Sequence, residues 1–509
     1  MTIPGLRIDL DSDVPVYRQI VEGVRAAAVE GGLRPGHRLP ATRDLARHLG
    51  VNRNTVVAAY ETLAEEGWVR SHTGKGTFLV SSPEAARGPD EIHEKGDTWF
   101  TAFSRSAEGA AAGSLKAIYS MVVSPADGIS FVGSYPAAEL IPVEPFHDAL
   151  RKALVDRGAD VLAYGPTAGY PPLRETIAAE MRGSGMPALA DDVLVTNGAQ
   201  QALELVFRTF LDRGDAVVIE EPTYTGALSV LGALGARTVG IPMDDEGIRP
   251  DLLAIALERH RPRLIYTQPT FHNPTTRVMS EARRRELLTL AARHRCPIVE
   301  DDWGGDLRFE GDDLPTLYAM DGGQHVIYLS TFSKKLMPGL RLGWATAPSP
   351  VMRRLVELKR IQDCGTSPLL QAGMDVFLRD GGLDDHLKRV RPAYRKRRDC
   401  MIDALQTHFH QDAKWDVPLG GMFIWVRLPA GFDGDDLNVA ARQSGVLYSR
   451  GEWFHSDGSG ANTLRLTYSG VSEEQIATGV ATLGRLINER WPDRVDQLRH
   501  SATESMPIF

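Results

Sequence analysis

The chain has 509 residues, of which 43% are hydrophobic, 7% aromatic and 24% charged, an ordinary globular mixture that excludes a mostly disordered or fibrous protein. Its 57 Lys and Arg against 66 Asp and Glu leave a net charge of −9, a balance that argues against nucleic-acid binding by the chain as a whole. No run approaches the roughly 18 apolar residues of a membrane span, and Met1-Thr2-Ile3-Pro4-Gly5 lacks the order of a secretory signal. Cys296, Cys364 and Cys400 lie too far apart for a disulfide framework or a metal cluster, so no metal and a cytoplasmic, reducing setting are expected.

At about 100–200 residues per domain, the length allows roughly three domains. Val16, Ile20, Val24 and Ala27 recur at helical spacing, which predicts an amphipathic helix over 15–30 that ends at Gly31-Gly32. Leu39-Pro40-Ala41 leads into a second helix that stops at Gly50. Asn52 opens a third, with Val56, Tyr60 and Leu63 turned inward. Helix, short glycine turn, helix is the helix-turn-helix plan, in which the second helix of the pair enters the major groove. Its leading side chains here are Asn52, Arg53, Asn54 and Thr55, all able to hydrogen-bond bases or phosphates. Trp68–Ser71 and Thr77–Val80 alternate around His72–Gly76, a hairpin whose tip, Gly74-Lys75-Gly76, offers one cation to a minor groove. Residues 34–80 carry seven basic against four acidic residues, a mildly basic head on an acidic chain.

Val14 to Ile20, Leu33 to Pro40, Leu45-Ala46, Thr55-Val56, Tyr60, Leu63 and Glu66-Gly67-Trp68 resemble the winged helix-turn-helix of the GntR family over 13–80. The resemblance implies double-stranded operator DNA as partner. Arg43, Arg53, Asn54, Thr55, Gly74 and Lys75 match that family's DNA-contacting positions.

Ser81-Ser82-Pro83 and Gly88-Pro89 mark 81–127 as a linker, although Trp99, Phe100 and Phe103 point to some docking. From 128 the pattern becomes short apolar runs between helical segments: Val193–Thr196, Ala216–Ile219, Leu264–Thr267, Ile298–Glu300 and Val326–Leu329. That rhythm predicts an α/β body over 128–490 with a mainly parallel sheet.

Four local features of the body converge on one cofactor. Ser333-Lys334 follows an apolar run, and a lysine at a strand end can be kept deprotonated enough to bond an aldehyde. Arg341, seven residues on in Pro338-Gly339-Leu340-Arg341-Leu342-Gly343, can fork to a phosphate. Asp301, after Ile298-Val299-Glu300, falls at the mouth of the sheet, where a carboxylate can pair with a protonated pyridine nitrogen. Thr196-Asn197-Gly198-Ala199-Gln200 takes a strand into a helix N-terminus, an anion site. Asn273, before Pro274, can present its amide to a ring hydroxyl, and Tyr224 can stack on a ring face.

Together these resemble fold-type I pyridoxal-phosphate enzymes, the aminotransferase class, with a small C-terminal α+β subdomain. The resemblance implies pyridoxal 5'-phosphate joined to Lys334, the catalytic lysine, with Asp301 on its ring nitrogen, Asn273 on its ring hydroxyl and Tyr224 on its face. Gly198, Ala199, Gln200, Thr331, Ser333 and Arg341 match the phosphate cup, Tyr164 a tyrosine reaching the phosphate from a neighbouring subunit, and Arg465 the arginine that forks to a substrate carboxylate. The family often has serine where Thr331 stands. Lys335 is one residue out of the family spacing, so Lys334 is the choice. The family also places a tyrosine two or three residues after the ring-nitrogen aspartate, where this chain has Trp303. An indole donates but cannot accept or relay a proton, so transamination is expected to suffer more than coenzyme binding, with Asn273 left to carry the ring oxygen.

A GntR head, a linker and this body in that order resemble the MocR-type regulators. That resemblance implies a homodimer with each head packed on the partner's body, and an effector that is an amino compound or the coenzyme itself. An incoming amine would exchange with Lys334 in the coenzyme's Schiff base while its carboxylate engages Arg465. The alternative is a working aminotransferase with an accessory DNA-binding head, since the same residues serve both purposes.

Overall fold

A computed structural model describes residues 128–490 except Ala430 and Asp433, and, nearer the amino terminus, Ile3, Leu6, Ile8, Asp9 and 14–79 without 30–32, 34–36, 66–67 and 73–75. The chain divides into two compact units, Met1–Phe103 and Ser104–Phe509. The glycine pair 31–32, the wing-tip residues Gly74 and Lys75, and the linker reading over 81–127 all lie outside the described residues.

In the first unit, helices span Val16–Val29, Thr42–Leu49 and Arg53–Glu65. They close on Ile20, Val24, Leu45, Val56, Ala59 and Leu63, each at most 1% exposed, a periodic apolar face buried against its neighbours. Gly50 ends the second helix at φ 68°, a left-handed turn that only glycine adopts without cost. The Tyr60 hydroxyl donates to Pro40 O at 2.9 Å and ties the third helix to the entry of the second. Strands β1 (Val69–His72) and β2 (Gly76–Leu79) pair antiparallel, Val69 opposite Leu79. His72, which the sequence places in the hairpin tip, ends β1, and Trp68 packs in the core before it.

The second unit opens with β3 (Ile129–Ser130). Its large sheet is built from β4 (Val193–Thr196), β5 (Ala216–Glu221), β6 (Arg237–Asp244), β7 (Gly247–Ile248), β8 (Leu264–Thr267), β9 (Ile298–Asp302), β10 (Val326–Thr331) and β11 (Gly343–Thr346). Their order is β4-β11-β10-β9-β8-β5-β6-β7. Pairs from β10 through β6 are parallel, while β11 and β7 run against their neighbours. Strands such as Leu264–Thr267 and Val326–Thr331 are buried at every position, as expected for a parallel sheet covered on both faces. One face packs on helices Ala199–Phe210, Thr225–Leu234 and Ser349–Asp363, and the other on Pro250–His260 and Glu281–His294.

A smaller antiparallel sheet follows: β12 (Lys414–Trp415), β13 (Phe423–Arg427), β15 (Ser449–Arg450) and β16 (Thr463–Thr467), in the order β12-β13-β16-β15. β14 (Val446–Leu447) pairs with β3 and so fastens the start of the unit to its C-terminal part. Helices Gly382–His408 and Glu473–Arg490 pack together beside it. The chain is therefore α/β with a C-terminal α+β subdomain. Among the described residues no helix is long and apolar enough to cross a membrane.

Candidate functional site

The site forms at the carboxyl ends of β8, β9 and β10, the mouth of an open parallel sheet. Asp301 is the penultimate residue of β9 and 2% exposed. Its Oδ2 accepts from the Tyr266 hydroxyl at 2.7 Å and from Gln268 Nε2 at 2.9 Å. Its Oδ1 is buried with no hydrogen-bond partner. Burial pushes the carboxyl up to about 6, against the lowering pull of those two donors, so it remains mostly ionised at neutral pH.

Lys334 follows β10 by three residues and donates from Nζ to Ser134 O at 2.7 Å. Burial, then the charges of Arg465 and Arg341, pull its ammonium down to about 8. Its neighbour Lys335 is committed elsewhere: it is ion-paired with Asp306 and lies over the Phe332 and Trp344 rings at 5.6 and 5.2 Å.

The anion cup is assembled from two turns. Helix Ala199–Phe210 begins after Gly198, whose φ of 81° favours glycine and whose missing Cβ would sit 2.6 Å from Arg341 Nη2. Gly343 allows equally close approach from below, since a Cβ there would meet Ala199 N at 2.9 Å. Arg341 donates to Asn197 O at 3.3 Å and to Ser333 Oγ at 3.4 Å, and Thr331 Oγ1 donates to Ser333 Oγ at 3.0 Å. The turn is braced from behind: Asp363 accepts from Asn197 Nδ2 at 2.7 Å and from buried Lys359. Tyr224 closes the cup through Gln200 Oε1 at 3.3 Å; burial and Asp301 push its phenol up to about 12.

Arg465 lies on β16, 4% exposed, between the Phe423 and Phe454 rings at 4.8 and 4.9 Å. Nη1 donates to Asn273 Oδ1 at 2.8 Å and Nη2 to Val132 O at 2.8 Å. Nε is buried without a partner, and no carboxylate is within ion-pair distance among the described residues. Burial pulls this guanidinium down to about 10.

Lys334, Asp301, Asn273, Tyr224, Gly198, Ala199, Gln200, Thr331, Ser333, Arg341 and Arg465 are therefore gathered in one place. Tyr164 is not: its side chain is 97% exposed on this single chain. Trp303 is 7% exposed, stacks on Phe423 at 5.5 Å and spends its N–H on Phe271 O at 3.1 Å. In the head, Arg43 and Arg53 are exposed and Thr55 half-buried, and the side chain of Asn54 is outside the described residues.

Sequence reasoning missed Gln268, which is 1% exposed and ties the site together. Its amide donates to Asp301 and accepts from Asn273 N at 3.1 Å, while its backbone N–H donates to Glu220 at 2.9 Å. Strand alternation puts Tyr266 and Gln268 on one face, the one signal that could have found them. It also missed the carbonyls of Val132 and Ser134, and a latch in which Glu221 accepts from Ser456 N at 2.9 Å and lies 3.1 Å from His455 Nδ1. Asp457 joins Glu221 and His455 to form the one His and carboxylate group of metal-binding spacing among the described residues.

The residues fit pyridoxal 5'-phosphate on three counts. A buried Asp301 oxygen has no partner, the turn at Gly198 brings its backbone against the Arg341 guanidinium, and the Lys334 ammonium is depressed by burial. Fold and site together define a fold-type I body that uses this coenzyme. Residues 132–483 match the aminotransferase class I and II family, and 16–79 match the gntR family of bacterial regulatory proteins. Aromatic-amino-acid aminotransferase 1 of Thermococcus litoralis is 38% identical, over 76% of this chain and 94% of its own. The probable rhizopine catabolism regulatory protein MocR of Rhizobium meliloti is 31% identical over 94% of this chain and 95% of its own. LysN, the α-aminoadipate aminotransferase of Thermus thermophilus, solved with N-(5'-phosphopyridoxyl)-L-leucine, superposes with a TM-score of 0.72 at 35% identity, covering 77% of this chain and 98% of LysN. The chain belongs to the aminotransferase class I and II family and carries a gntR-family DNA-binding head, the two-domain plan of the MocR-type regulators.

Proposed function

We propose that the chain is a coenzyme-dependent transcriptional regulator whose body senses a carboxylate-bearing amine. The observation that carries this is Arg465: a buried guanidinium whose Nε has no partner and which has no carboxylate within ion-pair distance among the described residues, in the same electrostatic neighbourhood as Lys334. A buried cation of that kind is costly unless a ligand neutralises it.

Pyridoxal 5'-phosphate supplies an aldehyde that a primary amine bonds reversibly. Burial pulls the Lys334 ammonium down to about 8, which eases its loss of the proton that must leave before the amine can bond an aldehyde. Asp301, with one carboxylate oxygen unpartnered, would hold a proton-bearing ring nitrogen. Arg341, Thr331, Ser333 and the N–H groups after Gly198 would anchor a phosphate. Arg465 orients the carboxylate of an entering amine toward Lys334. Release of Lys334 when such an amine occupies the site would be the local event that changes the chain's affinity for DNA. Tyr164, wholly in water on one chain, supports a homodimer in which it reaches the neighbouring cup.

Trp303 favours sensing over turnover. With its N–H on Phe271 it offers nothing to the ring oxygen, which leaves that oxygen to Asn273, whose Oδ1 accepts from Arg465 and whose Nδ2 can still donate. The aminotransferase reading predicts steady-state turnover with amino acids and 2-oxoglutarate at about 1–10 s⁻¹, ordinary for enzymes; the regulator reading expects far less.

Arg53→Ala tests the head. Arg53 is exposed at the first position of the recognition helix. Its loss should weaken duplex binding by about 1–3 kcal/mol, read by gel shift on the chain's own upstream DNA, while the visible absorbance of the bound coenzyme is unchanged. Unaltered affinity would mean that this helix does not read the groove.

A further inference from the structure

We propose that the end of the sheet opposite the coenzyme site carries a phosphate-binding cleft that takes the backbone of duplex DNA. The choice of partner rests on the regulator reading; the geometry does not.

Helices Pro250–His260 and Glu281–His294 deliver the chain into β8 and β9, so their C-termini lie at the amino ends of those strands. Both end in the same triplet, Arg259-His260-Arg261 and Arg293-His294-Arg295. Arg261 at φ 44° and Arg295 at φ 51° occupy the left-handed C-cap that glycine usually fills. The chain bears that backbone cost twice to set an arginine at each helix end.

These ends line one cavity of about 780 Å³, formed by Arg261, Arg263, Arg293, His294 and Arg295 on apolar Leu257 and Phe210, with no acidic side chain in its wall. Arg263 is paired with Asp215 at 3.4 Å. Arg261, Arg293 and Arg295 are exposed and have no carboxylate within ion-pair distance among the described residues. A helix C-terminus attracts a cation in its last turn. It does not explain why arginines from two helices converge on one concavity, unneutralised, in a chain of net charge −9. Guanidinium forks drawn from two helix ends suit a row of phosphates better than one ion. DNA is the polyanion that the gntR-type head already brings to this chain.

The test compares the coenzyme-loaded full chain with its Arg261→Ala, Arg293→Ala, Arg295→Ala triple variant, each with and without Arg53→Ala. Binding to a duplex of about 60 base pairs is followed by fluorescence anisotropy between about 50 and 200 mM salt. Each phosphate contact contributes about 0.9 to the salt slope. The triple variant should therefore lose a slope of about 2–3 and at least about tenfold in affinity, with or without Arg53, while its visible absorbance stays that of the parent. A slope equal to the parent's would overturn the proposal. So would loss of inorganic tripolyphosphate binding with duplex binding intact, which would make the cleft a small-anion site. An Arg53→Ala chain that binds its operator normally would count against the recognition helix alone; the slope difference made by the triple substitution still decides the cleft.

Discussion

Lys334→Ala is expected to abolish the covalent visible absorbance of the coenzyme-loaded chain. Borohydride should then fix no coenzyme to the protein, whereas the parent chain is labelled stoichiometrically. The cup and Asp301 remain, so the coenzyme should still bind, though more weakly and removably by dialysis. Lys335→Met is the matching control. Lys335 is held by Asp306 over the Phe332 and Trp344 rings, and its loss should leave the absorbance in place. A reducible band that survives Lys334→Ala would refute the assignment.

Arg465→Met is expected to act in two directions. Without ligand, removing a buried guanidinium that has no carboxylate partner relieves a desolvation cost. That relief offsets the hydrogen bonds lost to Asn273 and Val132, so thermal stability should change little. With a carboxylate-bearing amine, the variant should lose about 2–5 kcal/mol of binding, roughly 30- to 5,000-fold, because the carboxylate would be buried without its partner. Calorimetry or a spectral titration reads the second effect, and a thermal melt the first. A decarboxylated amine should bind parent and variant alike. Equal affinity of both chains for an amino acid would remove Arg465 from the site.

Both predictions rest on residues that stand in linear motifs, which is why the sequence revealed them. Lys334 and Arg341 share one stretch, Asp301 ends an apolar run, and Gly198 opens a helix. Strand ends were less legible. The apolar runs stop at Ile219, Glu300 and Leu329, but the strands continue to Glu221, Asp302 and Thr331. Those last residues are polar because Asp301 and Thr331 serve the site and Glu221 the Ser456 latch, so hydropathy alone ends the strand early. Contacts between strands were not legible at all. Gln268 reaches Asp301 only because β8 lies beside β9, and Arg465 lies between Phe423 and Phe454 only because β13, β16 and the segment after β15 converge. The substitution at Trp303 could be read from sequence, but the commitment of its N–H to Phe271 O could not, since 32 residues separate the two.

If occupation of the body controls the head, the two binding events must be thermodynamically linked. The most direct test measures that link on the coenzyme-loaded full chain. Affinity for upstream DNA is titrated with and without a panel of carboxylate-bearing primary amines, and affinity for the active amine is titrated with and without the DNA. The expected result is that at least one amine changes DNA affinity by about 5- to 150-fold, that DNA changes the amine's affinity by the same factor, and that Lys334→Ala abolishes both effects. Tight, groove-specific DNA binding that no amine alters, on a chain whose Lys334 holds the coenzyme, would contradict it.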